Sequence, residues 1–461
     1  MTTIGLNYCF SQEVLLTIDD KSITRDEFER IYLKNKPDVT STAQEIDENL
    51  EFFINFKLKV FEAERLGYDT TASFISEYNK YLFQLAEPYL VDKEYEEFLI
   101  KQAYERSLKE VRVSYILVRA NLPDTTKGYE KANEAYEKIK KGANFEDVVV
   151  EYSEARTAKT DLGDAWFTTL YSMPPELENF TFENKIGDFS KPIWANGAYF
   201  ILKITDVRPA VGKVQASHIY IRLPQNSPEA DSLKAVELCN NISKELETGT
   251  AFEELAKKYS DDKFSAEKGG DLGWFSSGKM LREFEEAAYA IKNIGDFVGP
   301  IRTPVGFHFI KLTGRESIGS FDKEYQRIKD EIQKKPIYET VKTRTLENIK
   351  KEYNFKIVGN IEEFYTKVDT SVFKEKWSAD IFKNDNKLIA TYADQKITNY
   401  DFALYIESTQ KIAKARKMNE YIDEKFNSFI EITLKNYEIK RLPEKNEAFK
   451  YLIQEYHDGL L

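Results

Sequence analysis

Apolar and polar positions alternate along Ala216-Ser217-His218-Ile219-Tyr220-Ile221 and again along Gly306-Phe307-His308-Phe309-Ile310, the two-residue period of β-strands. Between these runs the period lengthens. Val236, Cys239, Ile242 and Leu246 fall on one helical stripe, and Phe252, Leu255, Ala256 and Tyr259 on the next. Ser227-Pro228-Glu229 opens the first of these helices, with serine as cap and proline in the first turn, and Gly249 closes it. The predicted order is strand, long helix, helix, glycine-rich turn, helix, strand, strand. A small antiparallel sheet packed by helices is its natural product.

The same pattern occurs twice. Asn144-Phe145-Glu146-Asp147 with Glu151-Tyr152-Ser153 recurs 107 residues later as Ala251-Phe252-Glu253-Glu254 with Lys258-Tyr259-Ser260. Asp161-Leu162-Gly163 with Trp166-Phe167 parallels Asp271-Leu272-Gly273 with Trp274-Phe275, and Ile186-Gly187-Asp188-Phe189 parallels Ile294-Gly295-Asp296-Phe297. So long a period suits two copies of one compact domain, placed at 111–209 and 213–316. A second repeat brackets the first: Val14 to Phe28 matches the run ending at Phe402 at a constant offset of 374. In each, a threonine followed three residues on by an acid forms a capping box, Thr24 with Glu27 and Thr398 with Asp401. The helices that follow bury Phe28, Ile31 and Tyr32, or Phe402, Tyr405 and Ile406, so both flanks carry an aromatic-rich helical module.

The totals narrow the field. A chain of 461 residues divides into roughly three or four domains. A net charge of −12 argues against nucleic-acid binding, and no apolar run approaches the roughly 20 residues needed to cross a bilayer, so no membrane insertion is expected. Residues 1–12 read as the remnant of an export signal, or else as an ordinary frayed terminus, and the first reading implies an exported protein. Removing them leaves Cys239 alone, so no internal disulfide can form, and its helical stripe marks it as a core residue.

The ordered set His218, Tyr259-Ser260-Asp261-Asp262, Lys268-Gly269-Gly270-Asp271-Leu272-Gly273, Met280, Phe284, Gly299-Pro300 and His308 resembles the parvulin family of peptidyl-prolyl cis/trans isomerases. The resemblance implies a pocket for a proline ring from Leu272, Met280 and Phe284. It also implies a catalytic set of Asp262 beside the substrate carbonyl, His218 and His308 behind it, and Thr303 hydrogen-bonded nearby. The paired histidines can form a hydrogen-bonded set only if at least one ring nitrogen accepts, so they should carry few protons. Such a catalyst needs no cofactor and no metal. The glycine-rich run lacks the ending of a P-loop and is expected to be a turn that lets backbones approach closely. A single arginine, Arg222, ends the first histidine strand, so no requirement for a phosphorylated substrate is expected.

The first copy looks worn: Tyr115 is expected where His218 stands, Tyr199 where His308 stands, Glu154-Ala155 for Asp261-Asp262, and Leu177 for Phe284. It is expected to be catalytically dead. The domain order is similar to that of periplasmic chaperones of the SurA type. It implies an α+β, multidomain fold in which two parvulin-like domains are flanked by mainly α-helical chaperone modules. The expected division is a helical module at 13–110, the two copies, helices at 317–369 packing on the N-terminal module, and a second helical module at 370–461. The chain is expected to continue past Leu461. Its expected partners are unfolded or extended polypeptides containing X-Pro bonds. Two functions compete: a folding chaperone with isomerase activity in the second copy acting on envelope proteins, or a non-catalytic holdase using both copies as scaffolds.

Overall fold

The computed structural model of the chain describes residues 13–35, 42–120 and 122–461, so the export-signal expectation for 1–12 lies outside the described residues. Among the described residues the strands form four antiparallel sheets. The first is a hairpin of β1 (Val14–Ile18) and β2 (Lys21–Thr24). The second joins β3 (Lys109–Arg119), β4 (Asp164–Thr168), β5 (Ile193–Ala195) and β6 (Ala198–Pro209) in the order β4-β3-β6-β5. The third repeats that order as β8-β7-β10-β9, from β7 (Lys213–Arg222), β8 (Asp271–Phe275), β9 (Phe297–Thr303) and β10 (Gly306–Glu316). The last joins β11 (Lys356–Ile357), β12 (Leu388–Tyr392) and β13 (Gln395–Thr398). The architecture is α+β.

The chain divides into two compact units, Met1–Asp92 with Thr340–Leu461, and Lys93–Glu339. In the first unit the two hairpins share one register: Val14 faces Thr24 as Leu388 faces Thr398, and Ile18 faces Lys21 as Tyr392 faces Gln395. Each turns through a left-handed residue, Asp19 (φ 52°) or Ala393 (φ 46°), as two-residue hairpins require. The capping box is complete at Thr398 and Asp401. At Thr24 only half of it forms, because the Glu27 carboxylate turns to the buried ammonium of Lys57, which also binds Asp458 at 2.6 Å. Phe364, Phe382 and Phe402 centre the larger core of this unit, and Phe28 with Phe53 a smaller one.

In the second unit each four-stranded sheet is covered on both faces. The helices Glu229–Glu247 and Phe252–Tyr259 bury Cys239, Ile242 and Leu255 against Ile219, Ile221 and Phe309. The opposite face carries the helix Arg282–Ala290, whose Phe284 and Ala288 meet Val214, Ala216, Ile310 and Leu312. Burial pushes the Cys239 thiol up to about 11, as for an inert core residue. The expected glycine-rich turn also contains a strand. Gly270 (φ +87°) lies so near β7 that a Cβ there would stand 2.3 Å from the His218 carbonyl oxygen, and this approach lets β8 pair with β7. Helix Lys93–Ser107 packs on helix Phe321–Ile332 through Tyr104 against Phe321 and through a Tyr325 hydroxyl donated to Glu97 at 2.9 Å. Among the described residues no helix is long and apolar enough to cross a membrane.

Candidate functional site

His218 and His308 sit on the neighbouring strands β7 and β10, where the register sets His308 opposite Tyr220 and Ile310 opposite His218. Successive side chains of a strand alternate faces, so Tyr220, two residues from His218, shares its face. The three rings stack, with centroids 5.5 Å apart for the two histidines and 4.9 Å for Tyr220 and His308. Both imidazoles are buried, at 7% and 5% exposure, beneath the helix Arg282–Ala290, from which Phe284 presents edge contacts to each at 6.0 and 5.4 Å.

A chain of hydrogen bonds runs through them. Asp262 Oδ2 lies 3.0 Å from His218 Nε2, the two Nδ1 atoms are 3.4 Å apart, and His308 Nε2 is 3.0 Å from the Thr303 hydroxyl. Asp262 caps the short helix Lys263–Ala266, and the buried Ser265 donates its hydroxyl to Oδ2 at 2.6 Å. These partners assign the protons. With Asp262 ionised, His218 donates from Nε2, so its Nδ1 accepts from His308 Nδ1–H, and His308 Nε2 accepts from Thr303. Adding one proton to His218 would reverse the rest of the chain: His308 would then donate to Thr303, and Thr303 to the Gly306 carbonyl 3.2 Å away.

Electrostatics favour the first arrangement at neutral pH. Burial, opposed by Asp262, holds His218 below its ordinary value. Burial pushes His308 down to about 4, with the charges of His218 and Arg302 adding to the effect. Burial works to raise the Asp262 carboxyl, but the hydrogen bonds from Ser265 and His218 outweigh it and keep the carboxylate ionised. The site thus presents one fixed negative charge in front of two neutral rings. Leu272 and Met280 pack on the apolar cluster that contains Phe284.

All seven residues singled out in the sequence meet here. His218, Asp262, His308 and Thr303 form the polar wall, and Leu272, Met280 and Phe284 the apolar one. Three neighbours escaped that reading. Tyr220 was signalled by its two-residue spacing from His218, and Ser265 by its place three residues after Asp262. Glu285, fully buried, accepts backbone N–H groups from Gly278, Lys279 and Met280 at 3.1, 2.8 and 2.9 Å. Its signal was the repeat, which puts Glu178 107 residues earlier.

The first copy requires a correction. Tyr199 was expected in the place of His308, but β6 pairs with β3 so that Phe200 faces Leu117 and Leu202 faces Tyr115. This is the register of His308 with Tyr220 and of Ile310 with His218. Phe200 therefore stands where His308 does, its ring 6.2 Å from Tyr115. Tyr199 points to the other face, against Tyr129 and Trp194. Gly197 and Gly306 are not equivalent: Ala198 faces Ala195 as Gly306 faces Thr303, and the one-residue difference exchanges the two faces of the strand. Glu154 takes the Arg119 N–H at 3.0 Å, as Asp261 takes that of Arg222 at 2.8 Å, so Ala155 fills the place of Asp262.

Catalysing rotation about an X-Pro bond needs no nucleophile. The barrier of about 18–20 kcal/mol is the loss of amide conjugation, and it falls when a site holds the ring and favours the twisted amide. Here an apolar cluster with Leu272, Met280 and Phe284 lies beside a histidine pair joined to a carboxylate. Among the described residues no cluster of three histidine, cysteine or acidic side chains is placed to hold a metal ion.

Parts of the chain are similar to known proteins. The PPIC-type PPIase domain family matches twice, over residues 98–208 and 199–316. A Chaperone SurA of Methylococcus capsulatus is 31% identical over 260 residues, 54% of this chain and 56% of that protein. Foldase protein PrsA 2 of Bacillus anthracis is 45% identical over 122 residues, 26% of this chain and 37% of that protein. The solution structure of NmPin, the parvuline of Nitrosopumilus maritimus, is 34% identical and matches 22% of this chain and 97% of its own, with a TM-score of 0.18. Two tandem parvulin domains of the PPIC type therefore make up the middle of the molecule. The two matched domains are of the PPIC type, and over about half its length the chain is similar to chaperones of the SurA type. It spans about half the length of the SurA relatives it matches.

Proposed function

We propose that this protein is a periplasmic folding chaperone that catalyses peptidyl-prolyl cis/trans isomerisation in its second parvulin copy, on unfolded envelope and outer-membrane polypeptides containing X-Pro bonds. The observation that carries the reading is the continuous chain Asp262–His218–His308–Thr303 lying beside the Leu272, Met280 and Phe284 wall. In this reading the apolar wall clasps the pyrrolidine, and Asp262 faces the substrate carbonyl. The histidines and Thr303 hold that carboxylate in place and keep it ionised. The limits 111–209 and 213–316, with helical modules on either side, belong to the same proposal.

A holdase reading also has support. A groove of about 730 Å³ in the first unit is lined by Leu15, Phe28, Tyr32, Leu33, Ile46 and Leu50, a surface suited to sequence-tolerant contact with extended chains. Two assays on the full chain separate the roles. Proline-peptide isomerisation should be strong in the parent and weak in His308→Ala and Met280→Ala. Aggregation suppression should survive both substitutions. A parent chain without isomerase turnover would leave holding as the whole activity.

A further inference from the structure

The loop Ser276–Leu281 carries Met280 to the apolar wall, and it is gripped from two sides. From its own domain Glu285 takes three of its backbone N–H groups. The other grip comes from the first parvulin copy. Ser277, 3% exposed, donates its hydroxyl to Glu110 Oε2 at 2.8 Å, and Glu110, on β3, is 1% exposed. The same carboxylate accepts from Arg208 Nε at 2.8 Å and from the Val211 N–H at 3.1 Å. Directly after the loop, Arg282 lies 3.2 Å from Asp164 and 3.8 Å from the Trp166 ring centre. Gly278 sits under the Phe167 carbonyl, 3.7 Å from where its Cβ would be.

A pair of domains serving only as spacers would meet through solvated or apolar contacts. Here a buried carboxylate of the first domain accepts from a buried hydroxyl of the second, and Arg208 donates to both. Drawing the domains apart would leave Glu110 and Ser277 without each other, so the contact resists separation. Its foothold in the second domain is the loop that places Met280, together with the first residue of the helix that carries Phe284.

We propose that the worn first copy positions the second: Glu110, Arg208 and Asp164 hold the loop Ser276–Leu281 so that Met280 stands ready to receive the proline ring. The proposal rests on the isomerase reading of the second copy. Because Met280 would contact the ring in the ground state and the transition state alike, loosening the loop should weaken binding more than turnover.

The test uses the full chain carrying Asp164→Ala, Arg282→Ala, both together, and Ser277→Ala. Amide hydrogen exchange of residues 276–282 is read beside KM and kcat. Each single variant is expected to speed exchange in that loop and to raise KM roughly five-fold with kcat nearly unchanged. The Asp164→Ala/Arg282→Ala pair is expected to equal its stronger single variant, as two partners of one contact should. Unchanged exchange in the loop overturns the proposal, and so does a lowered melting temperature with KM untouched. A parent chain that turns over no peptide removes the isomerase reading instead, while exchange in the loop still decides whether the first copy holds it.

Discussion

The two parvulin copies keep one scaffold and differ in one cluster of side chains on the sheet face under the second-face helix. In both, a left-handed residue turns the loop before the second-face helix, Tyr171 (φ 63°) in the first and Gly278 (φ 82°) in the second. In both, a methionine follows two residues later, and a buried glutamate binds the N–H of the turning residue: Met173 with Glu178, Met280 with Glu285. Behind that shared frame the second copy has an imidazole pair joined to a carboxylate. The first has Tyr115 and Phe200 packed beside Leu177 and Leu202, with Ala155 where a carboxylate would be. Packing alone can maintain the fold, whereas the polar chain needs every member, since a buried ring nitrogen without its partner is costly. Replacing any one member would therefore leave the others unpaired.

The largest expected effect tests the polar wall. In the full chain His308→Ala should lower kcat/KM at least ten-fold, each factor of ten being about 1.4 kcal/mol of transition-state stabilisation. Phe200→Ala, at the same register in the first copy, should leave turnover unchanged. Equal losses from the two would dissolve the contrast between the copies.

Acid should come next in size. The unfolded chain protonates His308 near the ordinary 6.5, but the folded chain does so only at about 4. Below pH 6.5 the unfolded state therefore binds more protons, and stability falls until about pH 4, by about 3 kcal/mol if the whole shift is realised. The lowered carboxyl of Asp262 works in the same direction, its stabilisation being lost as pH falls through its folded value. Melting curves of the full chain between pH 7 and 4 should show the loss. His308→Phe, which imitates Phe200, should flatten it, and an unaltered slope would contradict the buried neutral pair.

A smaller difference is expected at the paired glutamates. Burial, opposed mainly by the Tyr171 N–H, raises the Glu178 carboxyl to about 7, so it is already partly neutral and Glu178→Gln should cost little. Glu285 accepts three N–H groups, and Glu285→Gln should cost about 1–3 kcal/mol by denaturant melting. The smallest effect belongs to Tyr199→Phe. It removes a 3.2 Å contact to the Thr125 hydroxyl on the far face, for about 1 kcal/mol or less and no change in isomerisation. A clear loss of turnover there would reinstate Tyr199 as the counterpart of His308.

Much of this is legible in the sequence. The offset of 374 between the flanking motifs predicted two copies of one local structure, and both prove to be hairpins that share their register pair for pair. The histidine strands and the glycine-rich approach to His218 were readable for the same reason. Strand period, caps and left-handed turns are local, and local chemistry is written in neighbouring residues. Motif matching also identified the seven residues that meet at the site.

Other features were set only when distant segments met. Phe200 rather than Tyr199 fills the place of His308, because a one-residue difference in pairing is invisible in composition yet turns a strand over. The Glu27 carboxylate leaves its cap for Lys57 because a buried ammonium outweighs an exposed N–H. Glu110 reaches Ser277 across 167 positions of chain, a distance over which no periodicity speaks. The sequence by itself determined the repeats, the elements and the chemistry available. Tertiary structure decided which side chains share a face, which charges are buried and which domain holds another's loop, because those depend on burial and long-range register.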